Sequence, residues 1–194
     1  TTKMKKYLIW IILGLLVIVG ITSYNGLVSS RESVNKAWAN VETQYQRRSD
    51  LIPNLVNTVK GAADFEKSTL EAVTEARSKA TSIQIDPNNI TPEKLAEFQA
   101  AQAQVSGALG RLLAVAENYP QLKAVQNFSD LQAQLEGTEN RITEARRQYN
   151  EAAQGYNTGR ARFPRVIFAS LFGFKERPYF EADKGTEKAP TVKF

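Results

Sequence analysis

YLIWIILGLLVIVGITSYNGLVSS, residues 7–30, contains no charged side chain. Its densest part, Leu8 to Ile21, holds eleven Leu, Ile and Val residues, together worth roughly −3 to −7 kcal/mol near a bilayer centre. A helix over Tyr7 to Tyr24 is about 27 Å long, enough to cross the hydrocarbon core with little tilt. Tyr7 and Trp10 lie near one end and Tyr24 at the other, where amphipathic rings favour the interface. The run is apolar all round, unlike the one-sided stripe of a surface helix. Lys3, Lys5 and Lys6 would also suit the basic region of a cleaved signal peptide. The apolar run is longer than such peptides use, however, and no small-x-small cleavage site follows at a suitable distance. The expectation is a basic stretch at 1–6 and an uncleaved signal-anchor helix at 7–28. Three lysines before the span, against Arg31 and Lys36 with Glu32 between them after it, place the N-terminus inside and the rest outside.

Beyond Arg31 the spacing is helical nearly throughout. Val34, Trp38, Val41, Tyr45, Ile52, Leu55 and Val59 recur at threes, fours and sevens, and Pro53 predicts a kink near Ser49. A second helix is expected from about Phe65 to Ile83, with Phe65, Leu70, Val73, Ala76 and Ala80 inward. Asp86-Pro87-Asn88-Asn89 reads as a turn, and Thr91-Pro92 as the cap and first residue of a third helix. In that helix Leu95, Phe98, Gln102, Val105, Leu109, Leu112, Ala116 and Tyr119 alternate three and four. Ser129 with Gln132 suggests a capping box for a fourth helix, carrying Leu131, Leu135, Thr138, Ile142, Ala145, Tyr149, Ala152 and Tyr156. Gly159 and Pro164 close it. The fold class expected is all-α: an N-terminal transmembrane helix followed by an antiparallel four-helix bundle of long helices over 29–162. Residues 163–180 form an apolar, basic segment, and 181–194 a flexible tail.

Three long stretches carry a family resemblance: AWANVETQYQRRSDLIPNLVNTVKG (37–61), LGRLLAVAENYPQLKA (109–124) and GTENRITEARRQYNEAAQGYN (137–157). Together they resemble the LemA family of bacterial membrane proteins, over about residues 24–180. The resemblance implies a membrane helix ahead of a four-helix domain, a place in the bacterial cell (inner) membrane, and a role in interaction rather than chemistry. It also implies a membrane protease or another membrane protein as a candidate partner. Some descriptions of the family put the short N-terminus outside the cell, whereas the lysines here favour the inside.

Composition narrows the chemistry. There are no cysteines and no histidines among the 194 residues, which removes disulfides, thiolate nucleophiles, imidazole bases and zinc sites built on either. The net charge of +5 is local: Lys3, Lys5 and Lys6 stand ahead of the apolar run with no acidic residue beside them, and residues 141–177 hold eight Arg or Lys against three Glu. Without aromatic interleaving on a basic face, no nucleic-acid partner is expected. Glu66, Glu71 and Glu75 could share a helix face, but such spacing reads first as a solvated surface. Ser78 and Lys79 are neighbours whose side chains point apart. No phosphate loop or nucleophile elbow is present. Catalytic, cofactor and metal sites are therefore expected to be absent. Tyr149-Asn150 and Tyr156-Asn157, seven residues apart, read as core tyrosines with bonded hydroxyls. Arg47, Arg48, Arg146 and Arg147 are expected to pair with carboxylates such as Asp50, Glu139 or Glu144.

One segment asks for a function. In RARFPRVIFASLFGFKERPYF (160–180), Phe163, Ile167, Leu171 and Phe174 form a helical stripe widened by Phe168 and Phe172. Arg160, Arg162, Arg165, Lys175 and Arg177 flank it, and no acidic residue occurs between Glu151 and Glu176. Burying six such side chains is worth roughly 9–18 kcal/mol at most, so something must cover them. Four helices alternating in direction return the end of the fourth to the bilayer side. The covering element is then the lipid surface, the open end of the bundle, or a second copy of the chain. The candidate contact residues are Phe163, Arg165, Ile167, Phe168, Leu171, Phe172, Phe174 and Lys175. The function expected is a non-catalytic interaction or scaffold module, with the bilayer and itself as partners. The alternative is a self-assembling lipid-binding or membrane-remodelling protein that inserts 160–180 into the leaflet.

Overall fold

A single helix carries the chain from the apolar run to the far end of the domain. In the computed structural model, which describes residues 2–61 and 65–182, α1 spans Thr2–Lys60 without interruption. Its 59 residues reach about 88 Å. The apolar run and the first domain helix are thus one rod, with no linker between them. Ending a helix exposes up to four carbonyls on one side and four amides on the other, and no proline or turn sequence near Arg31 offers partners for them. Pro53 sits inside α1. It denies the Ser49 carbonyl its usual amide partner, and the Arg77 guanidinium supplies one instead, Nε donating to Ser49 O at 2.8 Å.

The remaining elements are α2 (Lys67–Ser82), α3 (Pro92–Ala116), the single turn α4 (Pro120–Lys123), α5 (Gln126–Ala161) and α6 (Arg165–Leu171). The turn before α3 forms as its residues predict: the Asn88 amide donates to Asp86 Oδ1 and the Asn89 amide to Asp86 O. Thr91 Oγ1 caps α3 by accepting from the Lys94 amide, with Pro92 in the first turn. Two boundaries differ from expectation. Val125 is the N-cap of α5, so Ser129 lies a turn inside and caps nothing; its amide donates to Val125 O. Gly159 does not close α5, which runs on to Ala161 before the cis Phe163–Pro164 bond. The tail expected at 181–194 lies almost wholly outside the described residues.

Hydrogen bonds between elements set their directions. Asn40 pairs with Gln148 and Arg48 with Glu139, so α1 and α5 run antiparallel. Arg48 also reaches Gln102 and Ser106, while Asn35 meets Asn88, so α3 runs alongside α1 in the same sense. Two clusters form the core. The far one joins Ile52, Leu55 and Val59 of α1 with Leu70 and Val73 of α2, Val105 to Leu112 of α3, and Phe128 to Leu135 of α5. The near one is built around Trp38, which is fully buried and packs against Phe98, Tyr149 and Phe180.

α2 is only 16 residues long, too short to reach the near half of the 25-residue α3 and 36-residue α5. The chain after α6 completes that end. Residues 175–181 run back along α5 in the opposite direction, held by side chains that imitate the edge of a sheet. Asn157 accepts from the Arg177 amide at 2.9 Å and donates to the Arg177 carbonyl at 2.8 Å. Seven residues earlier, Asn150 does the same with Phe180, at 2.8 and 3.0 Å. Tyr156 and Tyr149 donate to the carbonyls of Lys175 and Pro178. The seven-residue repeat of Tyr-Asn is therefore a double clasp for this strap.

Candidate membrane-contact site

α6 lies beside the outer end of the apolar run. The Phe168 ring fits over Gly20, where a Cβ would come within 3.2 Å of it. The Arg165 guanidinium lies over Gly26, where a Cβ would approach to 2.9 Å, and close to Gly159 of α5. Tyr24 meets Phe172 and Phe174 edge-on, at 5.1 and 5.7 Å between centroids. Glycine at 20 and 26 thus gives α6 its seat on α1. Of the eight residues singled out from the sequence, Phe174 is buried, and Phe168 and Arg165 are half-buried. Phe163, Ile167, Leu171 and Phe172 are turned outward, 81%, 56%, 73% and 54% exposed. Lys175 is exposed as well. The segment divides its labour by residue: its inner face closes the near end of the core, and its outer face remains apolar and uncovered.

Immediately above this face the cations gather. Arg31 lies over the Phe174 ring at 5.4 Å and 3.6 Å from Glu32. Arg160 pairs with Glu176 at 3.5 Å. Arg177, 4% exposed, donates to the Pro87 carbonyl at 2.5 Å and to Asn35 at 3.4 Å.

A separate groove of about 800 Å³ opens between α1, α2 and the residues following α2, with Glu42, Arg47, Asp50 and Arg77 around it. Burial lifts the Glu42 carboxyl above its ordinary range, opposed by the neighbouring Trp38 indole. The Ser49 hydroxyl in this groove is buried with no hydrogen-bond partner. Glu66, Glu71 and Glu75 all face solvent; Glu66 accepts from the Thr69 hydroxyl and Glu71 pairs with Lys67. Among the described residues no group of acidic side chains is placed to hold a metal ion. Arg48 and Arg147 pair with carboxylates as expected. Arg48, 2% exposed, meets Glu139 at 2.6 Å, and Arg147 bridges Glu144 and Glu151. These last contacts, with Gln148, bring the Glu144 carboxyl down to about 2. Arg146 instead donates to the carbonyl of Glu181 and covers the Phe180 ring, tying down the strap.

A model of the LemA family matches residues 37–194. The chain belongs to the LemA family. Among its curated relatives are two magnetosome proteins, MamQ 1 and MamQ 2 of Paramagnetospirillum magneticum, each 29% identical over 81% of this chain. Protein LemA of Metamycoplasma hominis is 25% identical over 75% of it. The chain spans about 64% of the length of the MamQ relatives and 63% of the mycoplasmal one. This LemA-family protein is thus membrane-associated, with helices and no strands among its described residues and an apolar N-terminal helix. The match takes in both Tyr-Asn pairs and the strap they hold. The strap itself escaped the sequence reading, because its backbone's bonds to α5 join residues 19 to 35 apart and follow no period. The repeated Tyr-Asn was its one visible trace.

Proposed function

We propose that this LemA-family chain is a non-catalytic, single-pass scaffold of the bacterial inner membrane, in which α1, α2, α3 and α5 form an antiparallel four-helix bundle outside the cytoplasm. The outer face of α6 makes a second membrane contact at the base of the bundle. The observation that carries this reading is the seat of α6 on Gly20 and Gly26. Both glycines belong to the uncharged run 7–30, so a bilayer around that run also meets Phe163, Ile167, Leu171 and Phe172 at its outer edge. An apolar face rimmed by cations suits the headgroup boundary.

The absence of cysteine from the chain makes the test clean. Ile167→Cys and Leu171→Cys, spin-labelled in the full-length protein in bilayers, are expected to relax strongly with oxygen and weakly with a water-soluble nickel chelate. Gln132→Cys on the far half of α5 should show the reverse. Nickel accessibility at 167 and 171 equal to that at 132 would overturn the reading. Partners are sought by purification in mild detergent, where a bare monomer with nothing bound would speak against a scaffold. The same four exposed side chains favour a second reading, remodelling of the leaflet by insertion. A change in vesicle diameter on reconstitution that Phe172→Asp abolishes would mark it.

A further inference from the structure

Between the strap, the turn before α3 and the base of α1 lies a cleft of about 240 Å³. Its charged lining is Arg31, Lys175 and Arg177 against Glu176 alone. Glu176 is turned to Arg160, and the almost wholly buried Arg177 guanidinium donates to neutral oxygens, the Pro87 carbonyl and the Asn35 amide. A buried guanidinium without a carboxylate is costly unless an anion approaches it. Arg31 Nε is buried with no hydrogen-bond partner, its ion-pair partner Glu32 standing off at 3.6 Å. The membrane-side wall of the cleft is apolar, formed by Phe172 and Phe174. Arg31 stands seven residues, about 10 Å, beyond Tyr24 along α1, which is the depth of headgroups when Tyr24 marks the edge of the hydrocarbon.

We infer that this cleft binds the phosphate of an anionic phospholipid, with Arg31 and Lys175 facing the headgroup, Arg177 supplying the charge behind them, and the acyl chains leaving past Phe172 and Leu171. The apolar floor favours a lipid over a soluble phosphate ester, which would have no use for it. The inference rests on the membrane reading of α6 for its depth and goes beyond it in naming a headgroup chemistry.

The test uses the full-length chain in neutral detergent, titrated with phosphatidylglycerol or phosphatidylcholine and observed by native mass spectrometry. Phosphatidylglycerol should be retained in preference. Arg31→Gln with Lys175→Gln should weaken its retention by about thirtyfold, the effect of two cations near an anionic headgroup. Arg31→Lys with Lys175→Arg should keep the preference. Far-UV circular dichroism checks that the variants hold their helices. Equal retention of the two lipids, or no change in the glutamine variant, overturns the cleft assignment. Displacement of phosphatidylglycerol by inorganic phosphate overturns its lipid source. The spin-label depth of residues 167 and 171 is read on the same variants. If it holds while lipid selectivity fails, the cleft alone is wrong; if depth fails too, the membrane reading goes with it.

Discussion

Tyr149 shows how much one side chain can hold. It is fully buried, packs edge-on against Trp38 and Phe180, and donates its proton to the Pro178 carbonyl. Burial pushes its hydroxyl up to about 12, against the pull of Arg177. The folded state therefore keeps a proton that the unfolded chain gives up near pH 10, so stability is full below that point and falls as pH rises from 10 towards 12. A shift of this size is worth about 2–3 kcal/mol. Urea unfolding of the domain in micelles at pH 9 and pH 11.5 should show this loss, and Tyr149→Phe should flatten the dependence. Asn157 and Asn150 work differently. Each gives both halves of its amide to one backbone residue of the strap, as a neighbouring strand would, at about 1 kcal/mol for each bond. Asparagine suits the task because its carboxamide presents a donor and an acceptor side by side, as a peptide group does.

At the scale of elements, the stripes were legible because a helix buries whatever recurs at threes and fours. Val34, Trp38, Val41, Leu95, Phe98, Ile142 and Tyr149 are all in the core as their spacing predicts. Helix ends were harder to read. The Ser129 capping signal was outbid by Val125 because α4 delivers the chain already turned, and Pro120 fixes where that turn begins. Half of the candidate site was legible too. The spacing of 163–174 marks an amphipathic segment, but which residues face inward depends on where Gly20 and Gly26 stand on another helix. Pro53 was expected to bend α1, and the element pair explains why its lost hydrogen bond can be tolerated. Arg77→Met should cost about 1–3 kcal/mol by stranding the Ser49 carbonyl. Restoring the amide with Pro53→Ala should reduce that cost by about 1 kcal/mol, read from a double-mutant cycle in urea. Full additivity of the two substitutions would refute the exchange of partners.

For the molecule as a whole, the base of the α1 domain segment and the end of α5 come to the same place. α1 leaves the apolar run at Arg31, and α5 returns beside it to deliver α6 and the strap. On the proposed single-pass reading, compartment follows from the orientation of α1. With Lys3, Lys5 and Lys6 inside, protease added to right-side-out vesicles should digest the domain, and protection of the domain would reverse the assignment. The unbroken course of α1 has a mechanical corollary. Thirty of its residues, from Arg31 to Lys60, project about 45 Å beyond the apolar run. A tilt of about 10° within the bilayer, well inside the range helices adopt to match lipid thickness, swings that far tip by about 8 Å. On the proposed membrane reading, with no hinge at the surface to absorb the rotation, the thickness of the surrounding lipid becomes a lateral position at the distal end.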